Sequence, residues 1–261
     1  MGTSQSSHGP GANVSLVPPW AELSDHLDNE KQAQEDINDE LDQAPCARFR
    51  GTRRALGKFV DSGDIHYLQQ ALSHYVKTGY GGSAIMGRRL QSTAIIADRL
   101  NAFFQADAVN SELWDTVISS GNDAVMVLDT IVEIVSPIDG TLDRESSRRS
   151  IYCALSDLLD HYPNTEIVNL TDRQREFVIE RYVAYDVYNR FCLDNQRNIL
   201  ENASDVRTVF QRLTQIQEYI VAKVAYAFKN VRKKIRRVKS SDIITIIKQV
   251  LYEVSHIFES A

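Results

Sequence analysis

DVRTVFQRLTQIQEYIVAKVAYAFKNVRKKIR, residues Asp205 to Arg236, decides the fold. Val206, Val209, Leu213, Ile216, Ile220, Val224, Ala227, Val231 and Ile235 recur at steps of three and four, the spacing that puts apolar side chains on one face of an α-helix. The pattern holds for about eight turns, and from Asp205 to Arg236, at about 1.5 Å per residue, the helix would be about 48 Å long. Upstream, Thr171-Asp172-Arg173-Gln174 matches a capping box, in which hydroxyl and amide side chains satisfy backbone N–H groups left free at a helix start. Behind it Val178, Tyr182, Tyr185, Tyr188 and Cys192 line one face. Downstream, a third helix is predicted from Ser240-Ser241-Asp242, with Ile243, Ile247, Val250, Val254 and Ile257 inward. Three such helices in succession bury their stripes most simply in an antiparallel bundle, and the chain is expected to be all-α from about Cys46 to Ala261.

The first half reads the same way. Asp64 starts a helix carrying Leu68, Leu72, Tyr75 and Val76; after Gly79-Tyr80-Gly81-Gly82, a second carries Met86, Leu90, Ala94, Ala97, Leu100 and Phe104. Residues Ser111 to Val135 hold one or two more, with a break at Gly121-Asn122 and a stop at Pro137-Ile138-Asp139-Gly140. The region 137–142 is a candidate sub-boundary. Arg144 to His161 forms another helix, ended by Pro163. The one candidate strand is a short stretch from Glu166 to Asn169.

The first 45 residues read differently. Met1 to Trp20 contains no Asp, Glu, Lys or Arg, and Gly9-Pro10-Gly11 and Pro18-Pro19 oppose helix formation. Residues 21–45 carry nine acids (Glu22, Asp25, Asp28, Glu30, Glu35, Asp36, Asp39, Glu40, Asp42) against Lys31, a balance of -8 inside a total of -6. Residues 46–261 are therefore near neutral. A linker that repels itself stays extended, so residues 1–20 are expected to be a disordered recognition tail on an acidic tether. Residues 1–45 together would have a random-coil reach of about 35–40 Å.

Cys46, Cys153 and Cys192 are odd in number and share no short spacing, which disfavours a disulfide framework or a cysteine zinc site. The amino terminus lacks the charged flank and apolar run of a secretory signal, and no stretch approaches the roughly 20 apolar residues of a membrane span. A cytoplasmic protein is expected. His66 and His74 are eight apart, too far along a helix to share one metal ion, and no metal or cofactor site is expected. There is no nucleophile elbow, phosphate-binding loop or dinucleotide fingerprint. Asp157 with Asp160 reads as a solvated helix face. The chain is expected not to be an enzyme.

Three features remain that could bind something. Gly81, Gly82 and Ser83 precede a helix start, where free amides hold anions; Arg53, Arg54, Arg88 and Arg89 could assist. The same turn is equally a helix-ending glycine followed by a serine cap. Lys229, Arg232, Lys233, Arg236 and Arg237 form a stripe opposite Val231 that could track nucleic-acid phosphates. It also suits a helix carboxyl end, where cations offset the dipole. Finally, Met1-Gly2-Thr3-Ser4-Gln5-Ser6 fits the loose myristoylation pattern, although one acyl chain beside an acidic linker holds an anionic membrane poorly. The Gly2 amine itself is the other reading, since a terminal amine has an ordinary pKa of about 7.7–8 and glycine leaves it unhindered. Thr3, Ser4 and the extended segment Val17-Pro18-Pro19-Trp20 would then engage a partner groove.

Met1-Gly2-Thr3-Ser4, Gly9-Pro10-Gly11, Leu16-Val17-Pro18-Pro19-Trp20, the acidic linker, Arg48-Phe49-Arg50-Gly51-Thr52-Arg53-Arg54-Ala55-Leu56-Gly57-Lys58-Phe59 and His74-Tyr75-Val76-Lys77-Thr78-Gly79-Tyr80-Gly81-Gly82-Ser83-Ala84 with Arg88-Arg89 together resemble the QatB proteins of the bacterial four-gene Qat anti-phage defence system. These motifs cover about the first 105 residues; the remainder is similar as a helical body. The resemblance implies a non-enzymatic component working with an ATPase, a QueC-like enzyme and a TatD-like nuclease. QueC enzymes activate a deazaguanine carboxylate with ATP and deliver it to ammonia, and a protein amine could replace the ammonia. The expectation is an adaptor whose Gly2 amine is the modification acceptor.

Overall fold

The structure is a computed structural model that describes residues 48–105, 124–167, 169–202, 205–234 and 243–261. The expected recognition tail, the acidic linker and the predicted helix around Ser111 lie outside the described residues. Those that are described belong to one compact unit spanning residues 47–261. They form an antiparallel helical bundle: α1 (Arg50–Ser62), α2 (Ile65–His74), a π-helical turn (Tyr75–Tyr80), α3 (Ser83–Arg89), α4 (Gln91–Gln105), α5 (Ala124–Val135), α6 (Leu142–His161), α7 (Asp172–Asn202), α8 (Val206–Lys234) and α9 (Ile243–Glu259).

Helix α7 is the axis. Its 31 residues span about 46 Å, and α6, α8, α1 and α4 all pack along it. Helix α9 closes the other side of the core against α8, α3, α4 and α2. The capping box starts α7 as predicted: the Thr171 N–H donates to Gln174 Oε1 at 2.8 Å, and the Gln174 N–H donates to Thr171 Oγ1 at 3.4 Å. Asp64 caps α2 by accepting from the His66 N–H at 2.9 Å. The preceding Gly63 has φ 73°, the left-handed geometry that ends α1. That left-handed φ favours glycine, and a Cβ there would also require the Arg212 guanidinium of α8, 2.6 Å away, to move.

Four expectations change. The apolar spacing from Met86 to Phe104 predicts one helix, but the chain bends at Leu90 (φ -88°, ψ 17°) between α3 and α4. Leu90 is itself buried, so the spacing runs unbroken through the bend while both halves pack on α9. Val206, the first residue of the predicted stripe, is 71% exposed; Val209 and Leu213 pack half-buried against the core, and the stripe of α8 is fully buried only from Ile216. No strand occurs among the described residues, and the Asn169 N–H donates locally to Glu166 O at 2.9 Å, a turn in place of the candidate strand. Asp157 is only partly solvated: it accepts from the Tyr185 hydroxyl at 2.6 Å and lies 3.6 Å from Arg181 Nε, whereas Asp160 is exposed as expected. That phenol is consequently pushed above its usual range, by burial first and by the Asp157 hydrogen bond second.

Candidate functional site

Two linked polar groups lie inside the apolar body. The first marks the start of the described chain. A π turn inserts a residue relative to an α-helix, so Gly81 donates to Val76 O and Tyr75 and Tyr80 come to the same side. Their hydroxyls both donate to Asp194 Oδ2 of α7, at 2.7 and 2.9 Å. Phe49 stacks on Tyr75 with ring centroids 5.4 Å apart, and Tyr75 meets Phe191 edge to face at 5.0 Å. The Arg48 guanidinium lies over both the Phe49 and Tyr80 rings, and its Nε donates to Gly79 O. Arg48 and Phe49 are thus held by the π turn, through Tyr75, Tyr80 and the Gly79 carbonyl, while α7 backs the two tyrosines with Phe191 and Asp194.

Gly79 permits this grip, because a Cβ there would stand 2.5 Å from the Phe49 ring. Gly79→Ala is expected to push Phe49 and Arg48 off their seat while leaving the bundle folded. The cost would be about 1–3 kcal/mol, the range for local overpacking. Faster tryptic cleavage at Arg48, with little change in helical circular dichroism, would register it.

The second group continues along α7. Tyr182, Asp186, Arg190 and Asp194 are spaced by four and form one row facing other helices rather than water. Asp186, 3% exposed, accepts from Thr93 Oγ1 of α4 at 2.6 Å and Ser147 Oγ of α6 at 2.8 Å. Burial pushes its carboxyl above the ordinary range; the two hydroxyl donors and the Arg190 charge oppose that rise. Arg190 donates to Asp143 at 3.1 Å. Burial works against its charge, yet Asp143, Tyr80 and Asp186 hold it more firmly protonated than an ordinary arginine. Tyr182 is fully buried and its phenol is raised, by burial and then by Asp186. Of this row only Tyr182 is picked out by the sequence, as part of an inward face. The signal of the row is a Tyr-Asp-Arg-Asp repeat at helical spacing, which looks like a solvated face until Thr93, Ser147 and the tyrosines arrive from elsewhere.

The residues predicted to bind a partner are scattered. Gly2, Thr3, Ser4, Val17, Pro18, Pro19, Trp20, Arg236 and Arg237 lie outside the described residues. Gly81 and Gly82 have φ 84° and 111° and shape the turn into α3, whose amino-terminal cap is Gly82. The Ser83 N–H donates to Glu259 Oε2 at 3.3 Å, so a carboxylate from the end of α9 already stands where an anion was expected. Arg88 and Arg89 are exposed at the end of α3, and Arg53 and Arg54 are exposed on α1. On α8, Lys229 and Lys233 are exposed, whereas Arg232 is ion-paired to Glu176 of α7.

A family model described as Qat anti-phage system associated protein QatB matches residues 81–258, more than half of the 261-residue chain. The chain belongs to the QatB family. No curated protein and no solved structure matches it. QatB membership makes it a component of the Qat anti-phage defence system. The QatB match runs from the Gly81 turn through almost all of α9. It therefore extends over the helical body, beyond the amino-terminal motifs on which the sequence resemblance rests.

Proposed function

We propose that this QatB chain is a non-enzymatic adaptor of a cytoplasmic Qat complex and the acceptor of an amino-terminal modification. Removal of Met1 exposes the Gly2 amine. The QueC-like partner activates a deazapurine carboxylate with ATP, and the neutral amine attacks the activated acyl carbon, forming an amide as the activating group leaves with the electron pair and the amine loses a proton. Thr3, Ser4 and Val17-Pro18-Pro19-Trp20 engage that partner; the ATPase and the TatD-like nuclease complete the assembly. The observation that carries this reading is the sequence of the first 45 residues: an unhindered glycine at the head of 20 residues without charge, followed by a tether of balance -8. The grip on Arg48 and Phe49 supports it, since a tether works from a fixed base.

Intact-mass measurement of the chain purified with and without its QueC-like neighbour tests the proposal. The expected result is an added deazapurine acyl mass on the amino-terminal peptide only when the partner is present. That mass should be absent from a Gly2→Pro variant, whose terminal nitrogen is secondary and hindered. An unmodified terminus in the assembled, active complex would end the reading.

A further inference from the structure

The cations of the described body are unevenly answered. On α6 and α7, Arg144, Arg148, Arg175, Arg181 and Arg190 each face a carboxylate, and on α8 Arg232 pairs with Glu176. Helix α1 differs. Arg50, Arg53, Arg54 and Lys58 are all exposed, and none of the four has a carboxylate partner among the described residues. No acid occupies the first turn of α1. Cations gathered at a helix amino terminus are opposed by the dipole and by one another, so the arrangement costs stability in isolation. An anionic partner removes that cost.

Two contacts fix the face on which these charges stand. Gly51 packs against the His74 ring of α2, where a Cβ would lie 3.0 Å from the imidazole, and the Lys58 ammonium sits 5.1 Å from the Tyr67 ring centre. Helix α1 therefore runs antiparallel along α2, and Arg54 falls between the two contacts. Arg50, Arg54 and Lys58, spaced by four, make a row about 12 Å long, with Arg53 beside it. Lys77, exposed three residues after His74, adds charge at the Arg50 end; Asp61 and Asp64 stand at the opposite end.

The chemistry of the partner follows from what the face lacks. Every apolar side chain of α1 beyond glycine (Ala55, Leu56, Phe59, Val60) is buried, so an approaching protein would find no hydrophobic centre of the kind that carries binding energy at protein interfaces. A phosphate backbone needs none. Guanidinium groups match phosphate oxygens in paired hydrogen bonds, and a duplex presents about seven charges over a 12 Å row. We propose that the α1 face binds the phosphate backbone of duplex nucleic acid without reading its sequence. This is independent of the Gly2 reading, since no residue is shared.

Fluorescence anisotropy of the full chain with a labelled mixed-sequence DNA duplex, over a series of salt concentrations, tests it. Wild type should bind at low salt and weaken linearly on a log–log plot. Arg50→Glu with Arg53→Glu and Arg54→Glu should bind at least about tenfold more weakly, with a slope shallower by about 2.7, the value for three lost phosphate contacts. Arg→Gln changes at the same three positions give the milder control should reversal disturb folding. Lys229→Glu with Lys233→Glu should bind like wild type. Absence of duplex binding by wild type, unchanged affinity and slope in both α1 variants, loss confined to the α8 variant, or capture of polyglutamate in place of duplex would each overturn the proposal.

Discussion

Asp186→Ala is expected to destabilise the helical body by about 2–4 kcal/mol, read as a fall in the urea midpoint without a change in m. The carboxylate is buried and accepts the Thr93 and Ser147 hydroxyls, so it joins α7 to α4 and α6 at one point. Truncation leaves both hydroxyls without their acceptor and leaves Arg190 without one of the charges that support it. A hydrogen bond to an ionised group contributes roughly 1.5–3 kcal/mol. Two are lost, and part is recovered because a buried charge no longer needs to be desolvated. Asp186→Asn keeps an acceptor oxygen and should cost about half as much. Replacing the whole constellation, with Asp186→Leu, Thr93→Val and Ser147→Ala together, should restore much of the loss, because apolar groups of similar volume leave nothing unsatisfied.

The pH dependence of the same pair of proteins has a definite sign. Burial raises the folded-state pKa of Asp186 above its unfolded value. The folded protein therefore holds the proton more tightly, and the stability this contributes is full below the unfolded pKa, near pH 4, and is lost as pH rises through the raised folded value. Asparagine has no such loss. The gap between wild type and Asp186→Asn should accordingly narrow as pH rises from about 4 toward neutrality. A gap that widened over that range would mean that the hydroxyl donors and Arg190 outweigh burial.

The sequence is most informative where one element carries its own instruction. The apolar stripe of α8 from Ile216 to Val231, the Asp64 cap and the Thr171–Gln174 capping box are local patterns, and the structure realises each. It is least informative where the meaning of a residue depends on a distant partner. Asp157 looks solvated until Tyr185 is brought onto it, and Asp186 looks like one more surface acid until Thr93, 93 positions away, donates to it. The π turn is similar: nothing local in Tyr75–Tyr80 announces it, and its geometry is secured by Asp194, 119 and 114 positions distant. The bend at Leu90 is invisible because apolar spacing reports which face is buried and not whether the axis is straight. The basic residues divide on the same ground, since Arg232 and Arg53 are indistinguishable as sequence, yet only the former finds an acid across a helix interface.

Tyr75→Ala should have the largest effect in the amino-terminal half, about 3–5 kcal/mol, the range for deleting a buried aromatic side chain. The ring is 1% exposed and is held between Phe49 and Phe191, with Tyr80 edge-on at 5.0 Å. Its hydroxyl donates to Asp194; burial, and then the negative charge that Tyr80 and Asp194 would place beside a phenolate, keep it protonated for that purpose. Tyr75→Phe separates the two contributions: it retains the ring and leaves Asp194 the Tyr80 hydroxyl at 2.9 Å, so it should cost only about 1–2 kcal/mol. The two variants should also differ in how they treat Arg48 and Phe49. Without the ring, Phe49 loses the surface it stacks on and Arg48 the neighbour that holds it over Tyr80, so trypsin should cut at Arg48 and Arg50 well before the bundle melts. In Tyr75→Phe that early cleavage should be absent. Were both variants cut alike, the seat of Arg48 and Phe49 would depend on the Asp194 hydrogen bonds rather than on ring packing.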